Sequence, residues 1–114
     1  MKKRALVTGA SRGIGASIVK KLSEDGFEVY GTSTSGEGKT IGVHQWVSGD
    51  FSTQKGIDDF LTRLKKISSF DVLVNNAGIN IIKSQNRVTK EDYSRMESVN
   101  LRAPYQITQM VLKQ

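Results

Sequence analysis

The 114-residue sequence predicts an α/β fold, a doubly wound parallel sheet with helices on both faces. Three observations carry that expectation. Short apolar runs alternate with stretches of helical period. Glycine-rich or polar turns separate them. The run 72–74, Val-Leu-Val, is continuously apolar, as in a strand buried on both faces.

Ala5, Leu6 and Val7 form the first strand, closed by Thr8 and Gly9. A glycine-rich turn covers 9–15. Ile14, Ile18, Val19 and Leu22 then recur at helical spacing, and Gly26 ends that helix. Residues 28–32 predict the second strand and 43–48 the third. Between them, 33–42 is rich in Ser, Thr and Gly and reads as loop. Ser52 or Thr53 caps a helix whose apolar face is Ile57, Phe60, Leu61, Leu64 and Ile67. Residues 71–74 predict the fourth strand. After a polar loop, Thr89 and Asp92 have capping-box spacing. One last helix follows, with Met96, Val99, Ala103, Ile107, Met110 and Val111 inward and a kink at Pro104.

The order of elements requires right-handed crossovers between parallel strands. The chain reads as one domain, 1–114, holding only the first four strands of a Rossmann-type sheet. The last helix meets Gln114 without a stop signal, so the expectation is the N-terminal part of a longer domain. The net charge of +6 is shared evenly by the two halves. Dispersed charge without aromatic interleaving predicts no nucleic-acid partner. No apolar run approaches a membrane span, and no signal segment is seen, so the expected location is cytoplasmic, with no membrane partner. No Cys and one His leave no metal site.

Residues 8–15, Thr-Gly-Ala-Ser-Arg-Gly-Ile-Gly, stand between the first strand and the first helix. Gly9 permits a sharp exit from the strand. Gly13 lets backbone approach a pyrophosphate, and Gly15 lets the helix pack closely. The helix N-terminus offers unpaired N–H groups and partial positive charge to the anion. A Gly-Lys-Ser/Thr sequence is absent, so the turn is not a P-loop.

Four ordered motifs resemble the short-chain dehydrogenase/reductase family. They are the T-G-x3-G-I-G turn, Gly49-Asp50-Phe51 closing the third strand, Asn75-Asn76-Ala77-Gly78 after the fourth, and Val99-Asn100-Leu101 in the last helix. The resemblance spans the whole chain. Its subgroup is similar to 3-oxoacyl-[acyl-carrier-protein] reductases. It implies that Gly9, Ser11, Arg12, Gly13, Ile14 and Gly15 hold pyrophosphate and adenosine ribose. It implies that Asp50 accepts from the adenine amino group, that the Phe51 N–H donates to a ring nitrogen, and that Asn76, Ala77 and Gly78 floor the ribose. Asn100 matches the Asn of the catalytic tetrad, which bends its helix and holds a water. By the residues alone, Asp50 serves equally as a capping residue near Ser52, Asn75-Asn76 as a polar strand exit, and Asn100 as a mid-helix Asn bonded to backbone.

The implied activity is NADP(H)-dependent reduction of a small-molecule carbonyl, or oxidation of the alcohol, by a homo-oligomeric full-length enzyme. The alternative is a nucleotide-binding or regulatory module without chemistry of its own. NADP(H) is favoured over NAD(H). The second strand ends Gly31-Thr32-Ser33-Thr34, with hydroxyls such as that of Thr34 in place of the acid that bonds a ribose 2′-OH. Glu37 is the nearest acid, and Arg12 can pair with phosphate. The family's Ser and Tyr-x-x-x-Lys are not found, since Thr34, Glu97 and Gln109 follow the three tyrosines by four. This stretch alone is therefore expected to lack turnover. The 33–42 loop is too short for the usual helix, which predicts a barer sheet face at that edge. A sheet ending at the fourth strand would also expose that strand's edge and the apolar face of the last helix.

Overall fold

The computed structural model describes residues 2–67 and 69–114. Its elements are β1 (Arg4–Val7), α1 (Gly13–Glu24), β2 (Glu28–Ser33), β3 (Val43–Ser48), α2 (Gln54–Leu64), β4 (Val72–Val74), α3 (Lys90–Glu97) and α4 (Ala103–Lys113). The strands are all parallel, in the order β3-β2-β1-β4. The chain moves outward from β1 to β3, then returns to the other side of β1. The order therefore reverses between β1 and β4, where such sheets open a crevice at their C-terminal ends.

Alternation along each strand divides the core between two layers. Leu6, Tyr30, Val47 and Leu73 pack on one side against Ile57, Phe60 and Leu64 of α2 and Ala103 and Ile107 of α4. Val7, Val29, Trp46 and Val74 pack on the other against Ile18, Val19 and Leu22 of α1. The Phe51 and Phe60 rings meet edge to face at 5.0 Å, an arrangement aromatic pairs favour. Helix α1 ends as predicted. Gly26 has φ +94°, its N–H donates to Ser23 O, and the Phe27 N–H donates to Leu22 O. Thr53 caps α2 by accepting from the Gly56 N–H.

Four local expectations change. Asp71 lies outside β4; its N–H and carboxylate bond the Arg4 backbone instead. Ile67 follows the end of α2 but keeps its packing on the core. The predicted single last helix is α3 and α4 joined through a wide π turn, Ser98–Arg102. Pro104 sits in the first turn of α4, where a missing N–H costs little. The wide turn just before it takes up the distortion expected as a kink.

The fourth change concerns the 34–42 loop. It contains no helix, yet it covers the sheet. A Cβ added at Gly38 would lie 2.4 Å from the Trp46 indole, so the loop rests directly on that ring. Thr40 Oγ1 donates to Ala10 O at 2.7 Å, tying the loop to the glycine turn. Gly42, at φ +100°, passes Ser23 of α1. Elsewhere only part of the expected exposure is found, since the inward face of the last helix is covered, with Val99, Ala103 and Ile107 buried. The outer edge of β4 pairs with no strand among the described residues. Leu101, Tyr105 and Leu112 are 68%, 63% and 80% exposed. No helix among the described residues is long and apolar enough to cross a membrane.

Asp92 completes a capping box with Thr89 at the start of α3 and also accepts from Lys83 at 2.7 Å. Lys83 and Thr89 hold its carboxyl below the usual carboxylate range. A carboxyl depressed by folding stabilises the native state above its unfolded pKa, and that contribution is lost as pH falls through the folded value. Urea denaturation should find Asp92→Asn less stable than the parent at neutral pH. The difference should close as pH falls below about 3.9. A second expectation is that Gly38→Val, forced against Trp46, loses about 1–3 kcal/mol of stability in the same assay.

Candidate functional site

Thr8 and Asn76 join the two strand ends at which the order reverses. Thr8 is buried, and its Oγ1 accepts from the N–H groups of Asn76 and Ala77, both at 3.0 Å. In return, Asn76 Nδ2 donates to Thr8 O at 3.2 Å and Gly9 O at 3.1 Å. The glycine turn is also bound to β2. Gly9 N–H donates to Thr32 Oγ1, and Ala10 N–H to Thr32 O. Every one of these groups is backbone, hydroxyl or amide. The turn is thus held without any charge that would compete for an anion.

The glycines have distinct tasks. Gly9 has φ +64°, and a Cβ there would lie 2.9 Å from Ala77 Cα. A Cβ on Gly15 would lie 2.0 Å from Gly9 O and 2.5 Å from Asn76 Nδ2. Gly15 therefore lets α1 close onto the turn and the Asn76 amide, from a buried position behind the cleft. Gly13 has φ +59°, and nothing lies within 4 Å of where its Cβ would stand. Its backbone faces open space. No side chain caps α1, and its first turn has no acid.

This space belongs to a cleft of about 650 Å³ at the C-terminal ends of the strands. Gly9, Ser11, Arg12, Gly13 and Ile14 line one wall. Thr34, Asp50 and Phe51 line the β2–β3 end, with Asn76, Ala77 and Gly78 along the β4 side. Eleven of the thirteen residues singled out in the sequence line it; Gly15, which is buried, and Asn100, which is exposed, are outside that lining. Glu37 borders a different hollow, with Arg4, Arg63 and Lys66.

Asp50 does not cap α2. Its Oδ1 accepts from both the N–H and the hydroxyl of Ser52, at 3.0 and 2.6 Å, closing a local turn. The Ser52 bonds, with a smaller contribution from Arg95, hold its carboxyl below the usual range. Oδ2 makes no hydrogen bond among the described residues. Phe51 turns its ring into the core, and its carbonyl accepts from the buried Ser98 hydroxyl at 2.7 Å. That bond fixes the π turn against the Asp50–Ser52 segment.

Asn100 lies on the π turn. Its Oδ1 accepts from the Ile79 N–H at 2.9 Å, and its Nδ2 donates to Ile79 O at 2.8 Å. The amide side chain pairs with Ile79 as another backbone would. Pro104 has no N–H, so the Asn100 carbonyl lacks the regular i+4 donor. None of the three tyrosines lines the cleft. Tyr30 is buried, with its hydroxyl on Glu28 and its pKa raised by burial, while Tyr93 and Tyr105 are exposed.

Arg95, Ser52, Ile79 and Val99 also line the cleft, although sequence reasoning assigned Ser52 only a capping role and Val99 only a core role, and Arg95 and Ile79 none. Ser52 carried one signal, two residues after an Asp at a strand exit. Arg95 carried another, standing one helical turn before Val99.

A parallel sheet reversing order beneath a glycine turn, with a cleft at its strand ends, defines a Rossmann-like nucleotide-binding fold. The short-chain dehydrogenase family model matches residues 3–114, and the chain belongs to that family of oxidoreductases. It is similar to a 3-oxoacyl-[acyl-carrier-protein] reductase of Buchnera aphidicola subsp. Schizaphis graminum, with 34% identity over 98% of this chain and 49% of the relative. Among solved structures, it resembles a blue fluorescent protein from a metagenomic library in complex with NADPH. The TM-score is 0.83 at 32% identity, over 97% of this chain and 50% of the other. A 4-hydroxyisoleucine dehydrogenase complexed with NADH gives a TM-score of 0.85 at 26% identity, over 98% and 49%. The chain spans about half the length of the curated relatives it matches.

If the cleft takes a dinucleotide, Gly13→Val should weaken binding at least about tenfold, equivalent to about 1.4 kcal/mol, in calorimetry. Gly26→Val is the control. It has the same left-handed backbone strain and open surroundings but lies at the far end of α1. It should cost stability and leave affinity unchanged.

Proposed function

We propose that this chain supplies the adenosine and pyrophosphate half of an NADP(H) site, in a reductase of small carbonyl compounds with 3-oxoacyl thioesters as the substrate class. The observation that carries the reading is the open face of Gly13 at an uncapped helix start, framed by Arg12 and free of carboxylates. A pyrophosphate suits that space, because backbone N–H groups and the helix dipole favour an anion there.

In this reading Ser11, Arg12, Gly13 and Ile14 bind the phosphates. Gly9 and Gly15 shape the turn, and Asn76, Ala77 and Gly78 support the ribose. Asp50 Oδ2 accepts from the adenine amino group, while the Phe51 N–H donates to the ring. Oδ1 is already held by Ser52, so one oxygen is aimed and the other is available. The bound cofactor supplies the hydride. Asn100 holds Ile79 at the cleft through its side chain, which leaves its carbonyl, unbonded by Pro104, to hold a water for proton relay. No tyrosine lines the cleft, so proton donation to a developing alkoxide falls outside the chemistry of these residues.

Discrimination between cofactors rests on the β2 end. Thr34 presents a hydroxyl, while that of Ser33 donates to the Glu37 carbonyl at 2.7 Å; Arg12 has no ion-pair partner among the described residues, and the Glu37 side of the loop borders the other hollow. A 2′-phosphate meets donors there and no repelling carboxylate. Fluorescence titration should find NADPH bound at least about tenfold more tightly than NADH, and Arg12→Ala should remove most of that ratio by weakening NADPH alone. Equal affinities in the parent protein would refute the preference.

A further inference from the structure

The geometry points to Arg95 as a further specificity-determining residue, whose guanidinium stacks on the base of the bound nucleotide and closes the adenine end of the cleft. This rests on the NADP(H) reading of that cleft. Arg95 lines the cleft beside Asp50, Phe51, Ser52 and Val99, far from the glycine turn in sequence and on a different helix. Its side chain makes no hydrogen bond or ion pair among the described residues. Asp50, the nearest acid in the cleft, spends one oxygen on Ser52 and is not in ion-pair range of Arg95. A cation left unpaired beside a carboxylate is positioned for something that comes between them.

The backbone beneath Arg95 is fixed. Ser98, three residues on, is fully buried and bonds the Phe51 carbonyl. Val99, one turn on, is buried beneath the same wall. The helix that carries the guanidinium is therefore tied to the residue whose N–H would meet the base. An adenine bonded edge-on to Asp50 and Phe51 exposes its faces to the flanking walls. Val99 gives one apolar surface there, and Arg95 brings a planar cation that attracts a π-system. The pyrophosphate is expected at the other wall, with Arg12 and the α1 start, and the 2′-phosphate beside Arg12 and Thr34. Stacking, rather than anion binding, is the role that fits the position.

The test is equilibrium titration of the parent, Arg95→Ala, Arg95→Lys and Arg95→Tyr with NADPH and with its hypoxanthine analogue, in low and high salt. Arg95→Ala should weaken both ligands by the same factor, about three- to tenfold. Arg95→Tyr, planar and uncharged, should restore most of the affinity, and Arg95→Lys little. The loss should persist in high salt, and the melting temperature of Arg95→Ala should match the parent's, because the side chain has no protein partner. Unchanged affinity in Arg95→Ala overturns the proposal. So does a loss that salt abolishes and that Lys, but not Tyr, rescues, which marks an anion contact. If the parent binds hypoxanthine as tightly as adenine, the Asp50 contact is wrong, and the ratio between parent and Arg95→Ala still decides the stacking. If the parent binds neither dinucleotide, the cofactor reading fails and the Arg95 proposal falls with it.

Discussion

The buried hydroxyl of Thr8 is the point on which the site depends. It accepts two backbone N–H groups from the segment leaving β4, and Asn76 answers by bonding the carbonyls of Thr8 and Gly9. These bonds span 67 or more residues of sequence, so they close only once all three connections between β1 and β4 are made. They also decide where the glycine turn stands. With Asn76 Nδ2 occupying the inside of the turn, only a glycine fits at position 15, and the start of α1 is drawn onto the end of β1. Replacing the hydroxyl would strand the half-buried Ala77 N–H, a cost of about 1–3 kcal/mol, while the Asn76 N–H keeps its bond to the Val74 carbonyl at 3.1 Å.

The other end of the cleft is organised by the same kind of bond. Ser98 is a buried hydroxyl donating to the Phe51 carbonyl, across from the segment that follows β3. Polar side chains thus make the joints between distant loops, while apolar side chains fill the two layers. Joints of this kind specify position, because a hydroxyl or amide bonds only within a narrow range of distance and angle. The layers tolerate more, since volume can be repacked. The cleft wall between the two joints inherits its shape from them.

Much of this was legible in the sequence. The apolar runs and helix periods gave all four strands and their parallel direction, because the alternation of strand and helix demands crossovers; the strand order came only with the structure. The glycine turn was legible because positive φ and close approach leave few alternatives to glycine. Asp50 was marked in the sequence and lines the cleft, but its local bonding was not legible, since the bond to Ser52 depends on the rotamer of both. The resemblance implied a bend at Asn100, but its form as a π turn was hidden, since residues 98–102 carry no local signal for one. The widening follows from bonds to Phe51 and Ile79, which are distant in sequence. The loop over Trp46 was hidden for a related reason. Composition announced a short connection, but not that Gly38 would lie flat on an indole.

That indole has a further consequence. Trp46 is the sole tryptophan of the chain. It lies under a loop that Thr40 ties to Ala10, within the glycine turn itself. The loop begins at Thr34, on the cleft wall, and passes over the ring before it reaches β3. The ring therefore sits under a segment bonded at one point to the glycine turn, so a shift of that turn would be passed to the indole's cover, and tryptophan emission is the signal in which it would register.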